Sequence, residues 1–183
     1  WCAREIVGDE PFALLLPDML HFGTRPCLAD MIAAYGQHGG NHVAVSPVPE
    51  DQTHLYGIVG VEDSAAAVSR ITGMIEKPRR GEAPSNLHIT GRYILQPEIF
   101  PILEKGERGA GGEIQLTDAM IALSRSQPFH AVRFDGTIYD CGAKLGFLMA
   151  NVAYALNRPD LGPALRAEIA RLLAAMPGQK QRP

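Results

Sequence analysis

Apolar positions along the chain fall into two patterns: unbroken runs of strand length, and stripes that recur every three or four residues. Phe12-Ala13-Leu14-Leu15-Leu16 is a continuous run, as expected for a strand buried on both faces, and Pro17 stops it. Asp18 then stands at its carboxyl end. Leu28, Met31, Ile32 and Tyr35 follow the i, i+3, i+4, i+7 spacing of an amphipathic helix that Gly39-Gly40 terminates, and Asn41 to Val48 returns to strand. Strand, helix and strand in succession form the unit of an α/β sheet with crossover connections. Tyr56 to Val61, Val68 to Ile75 and Ile89 to Leu95 predict further strands, read as a meander on that sheet, with the Pro-, Gly- and Ser-rich stretch Arg79 to Asn86 as a loop.

The remainder is mostly helical in pattern. Glu98 to Glu104 predicts a short helix and Gly106 to Gly112 a flexible turn. A second helix follows with Leu116, Ala119, Met120 and Leu123 on one face, and Pro128 ends that segment. Phe129 to Phe134 and Ile138-Tyr139 are short strands, the latter placing Asp140 at a strand end. Leu145, Leu148, Met149, Val152 and Leu156 form one helical stripe, and Leu165, Ile169, Leu172, Leu173 and Met176 a second. Trp1-Cys2-Ala3-Arg4 reads as the last turn of a helix. Residues 178–183 are a polar tail expected to fray, and 1–177 carry no internal repeat or linker, so they are expected to form one domain.

Composition narrows the class. Of 183 residues, 46% are apolar and 20% charged, enough for a sizeable core and incompatible with disorder over the whole length. A formal charge of -3 with scattered Lys and Arg offers no basic face, so nucleic acid is not an expected partner. No apolar stretch approaches the roughly 18 residues that span a bilayer, and no membrane association is expected. Cys2, Cys27 and Cys141 are odd in number, far apart and without zinc spacing, which points to a reducing compartment and the cytoplasm.

Three short segments carry candidate chemistry. In open α/β sheets ligands sit beyond the carboxyl ends of strands, where Asp18 and Asp140 both fall in this reading. One carboxylate from each of two strands suffices for Mg²⁺, which keeps several waters and completes its shell with substrate phosphates. Each Asp alone is more often a turn former or helix cap, whose side chain accepts backbone N–H bonds. Glu76-Lys77-Pro78 offers a point cation for a phosphate beside a carboxylate able to accept sugar hydroxyls, and Pro78 biases Lys77 toward an extended backbone. Gly57 and Gly91 interrupt strands, as a bulge or the close approach of a ligand would require. Gly109-Ala110-Gly111-Gly112 lacks the ending of a P-loop, no histidines show metal-ligand spacing, and Cys141 has no paired His and reads as buried packing.

Four longer strings share an order and approximate spacing with one family. They are Val7-Gly8-Asp9-Glu10-Pro11 leading to Leu16-Pro17-Asp18; Ile75-Glu76-Lys77-Pro78 with Ala83-Pro84-Ser85-Asn86-Leu87 and Gly91-Arg92-Tyr93; Gly112-Glu113-Ile114-Gln115-Leu116-Thr117-Asp118; and Tyr139-Asp140-Cys141-Gly142-Ala143-Lys144-Leu145-Gly146. Together they resemble the bacterial UTP:glucose-1-phosphate uridylyltransferases. The resemblance implies a Rossmann-like nucleotidyltransferase α/β fold, three-layered with a mixed sheet and incomplete at its N-terminus. It also implies synthesis of UDP-glucose and pyrophosphate from UTP and glucose 1-phosphate. Carried over, Asp18 and Asp140 would hold Mg²⁺, Lys77 the sugar phosphate and Glu76 the glucose hydroxyls, with Gly57 and Gly91 lining the sugar pocket and Lys77 and Asp18 at the reaction centre. Asn86, Glu113, Asp118 and Lys144 lie in matching strings without a settled role, and Ala143 departs from the polar residue expected there.

The family's glycine-rich triphosphate loop should precede Trp1, so this chain is expected to be a fragment with little or no turnover and an unpaired edge at Phe12 to Leu16. A homo-oligomer is expected from that exposed surface and from the family. A glucose-1-phosphate thymidylyltransferase, and a noncatalytic sugar-phosphate-binding or assembly module, are the alternatives.

Overall fold

A computed structural model describes residues 2–105 and 115–176; the expected turn at 106–112, Glu113 and the polar tail lie outside the described residues. In chain order the elements are α1 (Arg4–Val7), β1 (Phe12–Leu15), β2 (Met19–Phe22), α2 (Cys27–His38), β3 (Asn41–Pro47), β4 (Gly57–Val61), β5 (Val68–Glu76), β6 (Leu87–Leu95), α3 (Ile99–Glu104), α4 (Leu116–Leu123), β7 (Phe129–Arg133), β8 (Thr137–Asp140), α5 (Lys144–Leu156) and α6 (Gly162–Ala175). A 3-10 turn at Glu50–Leu55, not expected from the sequence, precedes β4. Two compact units result, Trp1–Pro17 with Gly23–Thr137 and Asp18–Phe22 with Ile138–Pro183.

The first unit is a six-stranded mixed sheet in the order β1-β6-β3-β7-β5-β4, with a short additional pairing of β6 to β4. β3 lies inside it, antiparallel to β6 and parallel to β7, and its residues from Asn41 to Ser46 are buried, as a strand covered on both faces requires. Alternation divides those residues. Val43 and Val45 join Met120, Leu123, Ile99 and Phe129 in the core beneath α3 and α4. His42 points to the other face, where its ring meets Tyr35 of α2 at 5.8 Å. Helices on both faces of a mixed sheet make the three-layer α/β architecture expected of the chain. On α2 the buried side chains are Cys27, Met31 and Ala34, whereas Ile32 of the expected stripe is exposed. Gly39 ends that helix with φ 59°, its amide donating to the Tyr35 carbonyl.

Several expectations are corrected here. β1 is not buried on both faces: Phe12 and Leu14 are half-buried and Ala13 and Leu15 exposed, because β1 pairs only with β6 among the described residues and packs one face, with Phe12 stacked on Phe100 at 5.0 Å. β4, β5 and β6 do not form a simple meander, since β6 touches β4 only near its start and then runs between β1 and β3. The N-terminal residues introduce a helix at Arg4 instead of ending one.

The second unit pairs β2 with β8 in a two-stranded sheet followed by α5 and α6. Asp140 therefore ends a strand of this small sheet and not one of the main sheet. Tyr154 of α5 seats on β2, its ring edge-on to Phe22 at 5.0 Å and its hydroxyl donating to the His21 carbonyl at 3.0 Å. The apolar stripe of α5 faces outward at its N-terminal half, with Leu145 72% and Leu148 60% exposed.

Candidate active site

The β4–β5 ladder sets Gly57 opposite Glu76 and continues for one bond beyond it, the Lys77 amide donating to the Tyr56 carbonyl at 3.1 Å. Gly57 is required by what lies over it. A Cβ there would meet Glu76 Oε2 at 2.9 Å, Ile89 Cδ1 at 3.3 Å and Thr117 Oγ1 at 3.6 Å. Space opened by the glycine is thus occupied by the Glu76 carboxylate, which accepts no hydrogen bond or ion pair among the described residues. Its charge reaches Tyr93: burial, with the Glu76 carboxylate adding to it and Arg92 opposing, pushes that phenol up to about 12.

Lys77 departs from the extended backbone expected before a proline. Its φ is 47°, in the left-handed region that costs a side-chain-bearing residue on the order of 1–3 kcal/mol. The ladder bond to Tyr56 fixes its amide while Pro78 is buried, so the turn out of β5 must be completed at Lys77, whose side chain is exposed.

Gly91 also has positive φ, 76°, within the β6 stretch where the pairing with β3 shifts register. Its carbonyl accepts from the Leu16 amide at 2.9 Å and from Arg92 at 3.0 Å, while Arg92 also donates to the Leu16 carbonyl at 2.8 Å. A bulge explains this glycine, and what it organises is the chain leaving β1.

In the second unit, Asp18 immediately precedes β2 and Asp140 closes β8. The Cys141 amide donates to the Asp18 carbonyl at 2.7 Å and the Gly142 amide to Asp140 Oδ1 at 2.9 Å. The two carboxylates converge. The point where a Cβ of Gly142 would stand is 3.0 Å from Asp140 Oδ1 and 3.4 Å from Asp18 Oδ2. Gly146 lets α5 begin against this corner, for a Cβ there would fall 1.9 Å from the Asp140 carbonyl oxygen. Both Asp side chains are exposed, and no group of three or more His, Cys, Asp or Glu with metal-binding geometry occurs among the described residues.

Of the less certain positions, Asn86 accepts the Val48 amide on its backbone carbonyl, Lys144 opens α5, and Asp118 keeps Oδ2 buried without a hydrogen-bond partner among the described residues. Cys141 is half-exposed and not buried packing; the β2–β8 pair is too small to cover it. A cavity of about 860 Å³ lined by Glu50, Asp51, Glu62, Arg80 and Asn86 contains none of Asp18, Gly57, Glu76, Lys77, Gly91 and Asp140. Sequence reasoning gave Thr117 no role. Its only signal was a place in the Gln-Leu-Thr-Asp string.

These arrangements acquire a context from known proteins. The nucleotidyl transferase family model matches residues 1–156. The chain belongs to the nucleotidyl transferase family. It is 41% identical over 170 residues to the UTP–glucose-1-phosphate uridylyltransferase of Staphylococcus epidermidis, covering 93% of this chain and 59% of that protein. It is 44% identical over 161 residues to the Bacillus subtilis protein of that name, covering 88% and 55%. This nucleotidyl transferase chain also superposes on a UDP-glucose pyrophosphorylase from Acinetobacter with a TM-score of 0.83 at 38% identity, covering 93% of this chain and 60% of that one. A glucose-1-phosphate thymidylyltransferase from Bacillus anthracis, described as putative, shares the fold at 20% identity and TM-score 0.64. The chain spans about three fifths of the length of the curated relatives it matches.

Proposed function

We propose that the protein transfers the uridylyl group of UTP to glucose 1-phosphate. A phosphate oxygen of the sugar phosphate bonds to the α-phosphorus, the bond from that phosphorus to the bridging oxygen breaks, and pyrophosphate leaves with the electron pair. The observation that carries the reading is the convergence of Asp18 and Asp140, distant in sequence, on one point beside Gly142. Two exposed hard-oxygen donors fit a divalent cation, for which we propose Mg²⁺, bound with water and phosphate oxygens completing its shell. When bound, that cation neutralises charge on the transferring phosphoryl group.

Lys77 is proposed to hold the sugar phosphate as a point charge, and the unpaired Glu76 carboxylate to accept hydrogen bonds from glucose hydroxyls. Gly57 supports that role by leaving room for the carboxylate. Gly91 supports it indirectly, through the β1 exit. Displacement at phosphorus asks for positioning and charge complementarity more than for covalent chemistry by the protein, which is what these residues offer. Names borne by relatives agree, including a structure described as UDP-glucose pyrophosphorylase complexed with UDP-glucose, 36% identical with a TM-score of 0.79.

We further propose a cytoplasmic setting, supported by three unpaired cysteines, and self-association through the exposed apolar faces of α5 and α6. No helix among the described residues is long and apolar enough to cross a membrane. The functional test is pyrophosphate release from UTP and glucose 1-phosphate in Mg²⁺, with dTTP in competition and Asp140→Asn as control. Preference for UTP, lost in the variant, is expected; equal or better use of dTTP would favour thymidylyl transfer.

A further inference from the structure

We infer that His38, His130 and His42 form an acid-operated latch that holds the C-terminal half of α2 to the main sheet and releases it while the strands beneath stay paired. The three imidazoles come from α2, β7 and β3 and grade in exposure: His38 is exposed, His130 half-buried and His42 wholly buried. The His130 ring meets each of the other two at 5.1 Å between centroids, inclined by 31° to His38 and 29° to His42, and Tyr35 of α2 meets His42 edge-on at 5.8 Å. Neither ring nitrogen of His42, nor Nδ1 of His130, has a hydrogen-bond partner among the described residues. A neutral imidazole there forfeits a hydrogen bond. An imidazolium forfeits far more, being a buried charge beside rings that titrate in the same range.

The groups around the stack do not relieve that charge. α2 contributes Tyr35 and His38, β7 contributes His130, and β5 sets Arg70 across the ladder from His130. β6 places apolar Ile94 opposite His42 and brings Arg92 to the Cys27 end of α2. Glu62, just after β4, favours a proton on His130 but is outweighed there by burial, His38 and Arg70. α2 is also the lightly held partner. Its buried side chains are Cys27, Met31 and Ala34, so beyond Ala34 its hold on the sheet is Tyr35 and the stack, and Gly36 weakens the helix in that last stretch. β3 starts on firmer ground: the Asn41 amide donates to the Pro128 carbonyl at 3.0 Å, Asn41 Nδ2 to Gln127 Oε1 at 2.9 Å, and the Gln96 amide to Asn41 Oδ1 at 2.9 Å. Release would therefore stop at Gly39-Gly40, where φ of 59° and 70° turns the chain into β3. Burial, reinforced by His130 and His38, lowers docked His42 to about 4, so the docked state binds fewer protons than the released one. Docking is favoured above about pH 6.5 and weakens as pH falls below it.

The test is amide hydrogen exchange of the full chain at about pH 7.5 and about pH 5, corrected for the intrinsic pH dependence of exchange and repeated in low urea. A released helix of this length is marginal in water, so its amides exchange once it undocks. A ring with a pKa of about 4 docked and about 6.5 released predicts that opening rises about thirtyfold between the two conditions. Protection of the amides of residues 35–38 should fall by that factor with little dependence on urea, because local release exposes little surface. Val43 and Val45 of β3 should remain at least about tenfold better protected in acid and respond to urea as global unfolding does. His42→Gln should reduce the fall at α2 to about threefold or less. If that variant does not fold, His130→Gln, at a half-buried position, takes its place and should shrink the fall by removing one titrating ring and its repulsion. Protection of α2 that is unchanged in acid, or that matches β3 in size and urea dependence, would overturn the latch. So would a fall of full size in the folded variant.

Discussion

The Glu76 corner and the Asp18–Asp140 corner are built by different means. Glu76 lies over Gly57 on a six-stranded sheet, with Ile89, Thr117 and the buried Tyr93 around it, so its place is set by packing. The two aspartates sit at the ends of a two-stranded sheet with both side chains exposed, and backbone bonds from Cys141 and Gly142 set their place. Packing restricts where a carboxylate can go but tolerates small shifts of a flexible side chain. A backbone corner leaves the side chains free of neighbours and depends wholly on the path of the chain. Substitutions should therefore separate binding from stability differently in the two places.

The largest effect should come from Gly146→Ala, which puts a carbon 1.9 Å from the Asp140 carbonyl oxygen, a backbone atom that cannot swing aside. We expect a loss of about 3 kcal/mol or more, read by denaturant unfolding, with faster amide exchange in the second unit. Unchanged exchange there would break the claim that this corner depends on the path of the chain.

Acid should act on the packed unit. His42 is 0% exposed, and burial, reinforced by His130 and His38 and opposed by the Ala34 backbone, lowers its pKa to about 4. Its ring stacks on His130 at 5.1 Å, and the His38 ring also lies 5.1 Å from that of His130. Because the folded chain holds the proton less tightly than the unfolded one, the contribution is full above about pH 6.5 and declines as pH falls toward 4. Wild type should lose on the order of 2 kcal/mol across that window, and His42→Gln should flatten the profile. An unaltered profile would remove His42 from the account.

Gly57→Ala should cost less than about 1 kcal/mol of stability, because the atom it meets is the far end of a side chain, yet weaken glucose 1-phosphate about tenfold by displacing the Glu76 carboxylate. Equal losses of both would mean that the glycine serves the strand alone. Asp18→Asn and Asp140→Asn should leave stability within about 0.5 kcal/mol while removing the Mg²⁺ dependence of UDP-glucose binding. Metal dependence that survives either change would take that residue out of the proposed site. The smallest change in stability should follow Lys77→Gly, which accepts φ 47° without strain: no loss, or a gain below about 1 kcal/mol, with phosphate binding reduced.

What the sequence revealed follows the same division. Strands inside the first unit were legible because burial on both faces writes continuous apolar runs such as Val43-Ala44-Val45, and α2 because Gly39 marks its end. β2 was missed: Met19 to Phe22 is only four residues long with His21 interrupting its apolar positions, and its partner β8 is remote in the chain. Asp18 and Asp140 could be named individually, but that they converge depends on this pairing. The outward turn of Leu145 and Leu148 could not be read from spacing, which shows a stripe but not what covers it.

The central claim is that Glu76 and Lys77 form a sugar-phosphate half-site on the packed unit, and calorimetric titration with glucose 1-phosphate of wild type, Glu76→Ala and Lys77→Ala tests it most directly. The account predicts saturable binding by the wild-type chain that is lost in both variants while their folds, followed by circular dichroism, persist. Binding that survives both substitutions unchanged would contradict it.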